Sequence, residues 1–187
     1  KFNEDEFKGC IKAISPKLIG FSCMTPHILN AAYLASIVKN NFPGIKTVVG
    51  GVHPSAIPEQ TLREFPQFDI VVVGEGENTL LELARRLACS KEINDVAGIV
   101  FNDKGKINFS PPRMPIEDLD TIPFPDRSFL PMRMYKKSHV SKGFSRSFLR
   151  VAEVTISRGC PYQCIYCASK VVHSCKIRFR GIENIIR

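Results

Sequence analysis

The chain has no apolar run long enough to span a bilayer, which excludes a transmembrane helix as its organising element. Its start, KFNEDEFKGC, is charged and amphipathic and lacks the apolar core of a secretory signal. It also lacks an initiator Met, so the sequence is expected to be a piece of something longer. Acidic residues become scarce after residue 126. Only Glu153 and Glu183 remain there against 13 Lys and Arg, a charge of +11, whereas residues 1–126 carry 13 basic and 16 acidic groups, a charge of −3. A basic segment suits nucleic acid, an anionic cofactor or a phosphorylated substrate. No aromatic-rich nucleic-acid motif accompanies it, so nucleic acid is not expected, and the missing acidic partners are expected in sequence outside this chain. A disulfide framework is also excluded. Seven cysteines is an odd number, no secretory signal is present, and three of the seven are crowded together. That usage predicts a reducing cytoplasm and metal ligation.

What is present is enough for one well-cored domain, or one domain and part of another: 187 residues, 44% hydrophobic and 24% charged. Phe7, Cys10, Ile11 and Ile14 follow the spacing of one helical face, closed by Pro16. KLIGFSC (17–23) reads as a strand buried on both faces, and Thr25-Pro26 as a helix start with Thr as its cap. The unit then recurs. IKTVV (45–49) is a strand, GGVHPS a loop and AIPEQTLREF a helix; DIVVV (69–73) is a strand, GEGE a loop and NTLLELARRLA a helix. Strand–loop–helix repetition with Val- and Ile-rich strands predicts an α/β fold, a doubly wound, mostly parallel sheet. AGIVF (97–101) and KINF (106–109) form a hairpin around NDKG. Six prolines between Pro111 and Pro131 then exclude regular structure and mark a linker or strap. VAEVTIS (151–157) reads as a fresh strand and GIENIIR as a helix just beginning. The expected domains are 1–110, a linker over 111–150, and the start of a second domain over 151–187.

Between that strand and helix lies ISRGCPYQCIYCAS, with Cys160, Cys164 and Cys167 in a C-x3-C-x2-C pattern. Thiolates are soft ligands suited to zinc, copper or iron–sulfur clusters. A structural zinc site needs four ligands and usually presents its cysteines in pairs, and there is no second pair here. A 4Fe-4S cube held by three cysteines leaves one iron open to bind a small molecule. The competing reading closes the site with Cys175, eight residues past Cys167, outside the usual short ligand spacings. Cys10, Cys23 and Cys89 read as core or surface thiols.

In an open parallel sheet, ligands bind beyond the carboxyl ends of the strands. Three loops leave those ends: SCMT (22–25), GGVHPS (50–55) and GEGE (74–77). Their small and polar residues let a ligand approach the backbone closely.

The cysteine loop, with its SRGCP approach and the aromatic Tyr166 before the last Cys, resembles the signature of the radical SAM superfamily. That resemblance implies a 4Fe-4S cluster on Cys160, Cys164 and Cys167, with S-adenosylmethionine chelated by the fourth iron and Tyr166 packed near its adenine. One-electron reduction would then cleave S-adenosylmethionine to a 5′-deoxyadenosyl radical. The stretch from LIGFSCMTP through VVGGVHPSAIPEQ to DIVVVGEGENTLLEL resembles the cobalamin-binding, flavodoxin-like domain ahead of many radical SAM partial barrels. By that resemblance Ser22, Thr25, Gly50 and Gly51 line the groove for the nucleotide tail of cobalamin, and Gly74, Glu75 and Gly76 border the same groove or the domain junction. LDTIPFPDRSFLP resembles the linker between the two domains, and 151–187 would be the first βα element of the barrel.

The chain departs from the family in two places. No strands precede the first amphipathic helix, and the D-x-H-x-x-G motif that supplies a cobalt-ligating His is absent. His53 beside Pro54 is expected to be a hydrogen-bonded structural residue. His27, His139 and His173 have no constellation around them in the sequence. The expectation is therefore part of a cytoplasmic radical SAM enzyme, inactive as this segment alone. It would use cobalamin for methyl transfer or radical rearrangement of an unknown, small-molecule substrate, with a flavodoxin or ferredoxin as electron donor. Two alternatives stay open: a radical SAM enzyme whose α/β domain is a cobalamin-free docking module, or a non-catalytic iron–sulfur or zinc protein.

Overall fold

A computed structural model describes residues 2–131 and 154–186. The linker expected over 111–150 is therefore seen only to 131, and His139 and the first three residues of VAEVTIS lie outside the described residues. Two compact units follow the chain's contacts. One joins Lys1–Ile116 with Gly159–Ile177, and the other joins Glu117–Arg158 with Arg178–Arg187. The cysteine loop thus groups with the α/β domain.

In the first unit, α1 (Glu4–Ile14) starts where the Asn3 side chain accepts from the N–H groups of Asp5 and Glu6, and three acidic residues fill its first turn. Negative charge there offsets the positive end of the helix dipole. It ends at Ser15, which takes a left-handed conformation at φ 48°. The strands β1 (Leu18–Ser22), β2 (Lys46–Gly50) and β3 (Ile70–Val72) are parallel neighbours in that order. β4 (Ile99–Asp103) and β5 (Lys106–Phe109) add antiparallel to β3 and to each other. Lys104 and Gly105 both have positive φ in the intervening turn, the geometry that suits a two-residue hairpin. The result is a mixed five-stranded α/β sheet.

Side chains alternate across this sheet and both faces are covered. Val49, Val71 and Val100 pack with Ile28, Ala31, Ala32 and Ala35 of α2 (Ile28–Asn41) and Leu62 of α4 (Pro58–Glu64). Val48, Ile70, Val72, Ile99 and Phe101 pack on the other side with Leu83 of α5 (Gly76–Ala88). Each such buried side chain contributes about 1.5–3 kcal/mol of transfer free energy, and the period of two assigns it to one core or the other.

Four local expectations are corrected. β1 is only half buried, because it is the edge of the sheet and pairs with β2 alone among the described residues. Thr25 caps no helix. A 3-10 turn, Thr25–His27, precedes α2, and no side chain caps its start. GGVHPS is not all loop, since α3 (Val52–Ala56) begins straight after Gly51. Pro58 then starts α4, dividing AIPEQTLREF into two helices.

After β5 the chain runs as an extended strap whose path is fixed by polar ties. Gly98 N–H donates to Pro111 O at 2.7 Å, and Arg113 reaches both Ala97 O and the Glu82 carboxylate. The short helix α6 (Ser169–His173) completes this unit.

In the second unit a 3-10 turn, Leu119–Thr121, buries Leu119. Within VAEVTIS and its continuation, only Ser157–Arg158 forms a strand, β6, among the described residues. It pairs antiparallel with β7 (Arg178–Phe179), and α7 (Ile182–Ile185) follows, with Asp120 accepting from the Gly181 N–H. No helix among the described residues is long and apolar enough to cross a membrane.

Candidate functional site

The three loops expected to form a ligand groove emerge side by side at the carboxyl ends of β1, β2 and β3, because parallel pairing puts those ends on one edge. Ser22 pairs with Gly50 in the last rung of the β1–β2 ladder. Beyond it, Cys23 N–H donates to Gly50 O at 2.8 Å and His53 N–H donates to Cys23 O at 3.3 Å. His53 Nδ1 lies 3.2 Å from Thr25 Oγ1, a second tie between these two loops. Ser55 Oγ, on α3, accepts from Gly74 N–H at 3.0 Å and joins the second loop to the third.

Ser22 and Thr25 are exposed on this edge, whereas Cys23 is 2% exposed and its thiol is pushed up in pKa by burial. A buried, protonated thiol is a packing group, which leaves Cys23 in the core as expected.

The two adjacent glycines differ in what surrounds them. Gly51 has φ 100°, and a Cβ there would stand 2.7 Å from Cys23 O and 3.0 Å from Cys23 N. Glycine at 51 is therefore required by the neighbouring loop of the same chain. At Gly50 a Cβ would meet only ordinary contacts with Val72 at 3.7 Å, so the chain itself leaves room there. Gly74 has φ 78° and lies under the backbone of α6, with Val172 O 3.7 Å from its virtual Cβ, and Gly76 opens α5.

His53 is held by Thr25, as expected for a structural histidine, but only through Nδ1. Its Nε2 is buried and has no hydrogen-bond partner among the described residues. A buried ring nitrogen without a partner costs free energy, about 1–3 kcal/mol, unless something outside the chain satisfies it. With the exposed Ser22 and Thr25 hydroxyls on it, the edge offers hydrogen-bonding groups to a polar ligand.

Glu75 was expected at the border of the groove or at the domain junction. Its side chain is turned into the chain: Oε2 accepts from the Ile116 N–H at 2.9 Å and Oε1 lies 3.2 Å from His173 Nδ1. His173, Ser55 and Ile116 had no signal in the sequence, because their partners lie 98, 19 and 41 residues away.

Cys160, Cys164 and Cys167 share one loop, all as free thiols, the first two half buried and the third exposed. Cys167 N–H donates to Cys164 O at 3.1 Å, and Cys160 N–H reaches Ser174 O at 3.4 Å, so a turn brackets the trio. A Cβ at Gly159, which has φ 94°, would collide with Lys176 O, and no other residue fits there. Three soft donors on one loop suit an iron–sulfur cluster. Among the described residues, no three His, Cys, Asp or Glu side chains are already gathered closely enough to hold a metal ion. Cys175 is exposed, and Tyr166 is 89% exposed on the cysteine loop.

A cleft of about 420 Å³ is lined by Val73, Gly74 and Glu75, the strap from Pro112 to Pro115, and Lys170–Val172 of α6.

Residues 2–84 match the B12 binding domain family. An uncharacterized methyltransferase of Pyrococcus horikoshii is 35% identical over 176 residues, which is 94% of this chain and 36% of that protein. The anaerobic magnesium-protoporphyrin IX monomethyl ester cyclase of Rubrivivax gelatinosus is 34% identical over 170 residues, 89% of this chain and 29% of that protein. The chain thus spans about a third of the length of these curated relatives. Among solved structures, the radical S-adenosylmethionine methyltransferase TsrM from Kitasatospora setae, with cobalamin and a 4Fe-4S cluster bound, has a TM-score of 0.73 at 17% identity. It covers 97% of this chain and 37% of its own. The cobalamin-dependent S-adenosylmethionine radical enzyme OxsB has a TM-score of 0.75 at 20% identity, over 97% of this chain and 24% of its own. At these identities the two structures speak for the fold. The sequence matches make this chain similar to members of the cobalamin-binding-domain-containing radical SAM family.

Proposed function

We propose that this chain forms the cobalamin-binding domain and the cluster loop of a radical SAM enzyme that transfers a methyl group. The observation that carries the reading is that the three-cysteine loop and the carboxyl edge of the sheet belong to one compact unit. Ser22, Thr25, Gly50 and the free Nε2 of His53 would hold the nucleotide tail of cobalamin at that edge, with Gly74 and Gly76 on its border. Gly51 would shape the groove through the Cys23 backbone. Cys160, Cys164 and Cys167 would hold a 4Fe-4S cluster, and Tyr166 would lie against S-adenosylmethionine. When bound, these groups supply methyl carriage and one-electron reduction, and the protein's part is to hold them in register. The reductant would be a flavodoxin or ferredoxin, and the protein would work in the cytoplasm. The methyltransferase and cyclase relatives support methyl transfer over another radical rearrangement only by their number, since both chemistries occur among them.

The test uses the intact protein, purified without oxygen and reconstituted with iron, sulfide and hydroxocobalamin. Cobalamin retained on gel filtration, together with reductive cleavage of S-adenosylmethionine, supports the reading. Cleavage without cobalamin retention would make the α/β domain a docking module. Neither property would leave a non-catalytic metal protein.

A further inference from the structure

We propose that Glu75 is a positioning residue that sets the three-cysteine loop against the groove edge. The inference rests on the function proposed above and assigns the register between its two halves to one buried carboxylate.

Glu75 stands three residues beyond the end of β3 and is 8% exposed. A carboxylate in such a place is costly unless its oxygens are engaged. Here each oxygen is used by a different segment. Oε2 takes the backbone N–H of Ile116, on the strap, and Oε1 faces the imidazole of His173, on α6. An ionised carboxylate only accepts, so in this pair the Nδ1 of His173 is the donor. α6 begins two residues after Cys167, and Ser174, directly after it, accepts from the Cys160 N–H. The two ends of the cysteine loop therefore hang on a helix whose last residue is tied to Glu75.

The ties continue across the edge without a break. Gly74, next to Glu75, donates to Ser55, α3 carries His53, and His53 is bonded to Thr25 and to the Cys23 backbone. Gly74 also lies beneath the backbone of Val172 in α6. Removing the Glu75 contact leaves the α/β core intact, because its hydrophobic clusters involve neither Glu75 nor His173. It loosens a five-residue helix too short to hold its own conformation in water, which also packs against α3.

The experiment uses the intact protein and its Glu75→Gln, His173→Gln and doubly substituted forms, compared by amide hydrogen exchange with mass spectrometry before any cofactor is added. Protection over residues 169–177 is expected to fall about five-fold or more in each single variant. Peptides from α2, α4 and β2 should keep theirs. The double variant, in which two amides can bond to each other, should regain part of the loss. After reconstitution, the reduced cluster's electron paramagnetic resonance spectrum with S-adenosylmethionine should broaden in the single variants at unchanged iron content. Unchanged exchange over 169–177, or equal loosening of the whole sheet, overturns the inference. The His173→Gln form keeps the test open should Glu75→Gln fail to fold. The exchange result stands without any cofactor, so a failure of the cobalamin or cluster reading appears separately, in the wild-type protein.

Discussion

Replacing Gly51 by Ala tests how the groove edge is built. Gly51 has φ 100° and ψ −167°, a region of backbone space that is essentially reserved for glycine. Holding an L-residue there costs about 1–3 kcal/mol. The new methyl would also stand 2.7 Å from Cys23 O and 3.0 Å from Cys23 N. Cys23 cannot retreat easily, since it is buried and its N–H and C=O are bonded to Gly50 and His53. Overpacking against fixed backbone adds about another 1–3 kcal/mol, for a total of roughly 2–6 kcal/mol. A domain of this size has about 5–15 kcal/mol of stability, so the loss should be large and easily measured. The assay is urea unfolding of the α/β domain followed by circular dichroism, with two control substitutions. Gly44→Ala meets nothing within 4 Å and should change stability by less than about 0.5 kcal/mol. Gly9→Ala, in the middle of α1 with open space around it, should stabilise by about 0.5–1 kcal/mol. If Gly51→Ala unfolds within about 1 kcal/mol of wild type, comparable to the roughly 10–15% uncertainty of the denaturant extrapolation, the reasoning about the Cys23 contact is wrong. A bulky residue at 51 acts on the fold first, so cobalamin loss in such a variant would be no evidence of ligand contact.

Three further outcomes are expected. Replacing Cys160, Cys164 or Cys167 with Ala should each abolish most of the reconstituted iron–sulfur absorbance, whereas Cys175→Ala should retain it; equal loss with Cys175 would establish a closed four-ligand site. The Arg113 guanidinium hydrogen-bonded to Glu82 holds that carboxyl below the usual glutamate range. Its contribution is thus present above the unfolded glutamate value of about 4.3 and is lost as pH falls through the lowered folded value. Glu82→Gln should flatten the acid limb of a stability–pH profile below about pH 4.3, by no more than about 1 kcal/mol because the pair is partly exposed. Thr47 is fully buried, and its hydroxyl donates to Gln67 O at 2.6 Å. Thr47→Val should cost about 1–3 kcal/mol in denaturant unfolding, because Gln67 O is left unpaired, and a neutral effect would count against that bond.

The sequence by itself determined the parts of this protein that rest on local pattern. Val- and Ile-rich runs alternating with helical spacing specified the α/β sheet, because a parallel strand buried on both faces must be apolar throughout. The C-x3-C-x2-C spacing drew attention to the cysteine loop, since thiolates in that number and order have few chemical uses. Tertiary structure decided what depends on distance. β1 reads like an interior strand yet is an edge among the described residues, because composition does not record how many neighbours a strand has. The paired glycines look alike in sequence, but Gly51 makes room for the Cys23 backbone while Gly50 has space to spare. His173 looked ordinary and Glu75 was placed at the border of the groove or the domain junction, and only folding brought them within 3.2 Å of each other. A hydrogen bond across 98 residues leaves no periodicity behind, so no reading of the chain in order could have joined them.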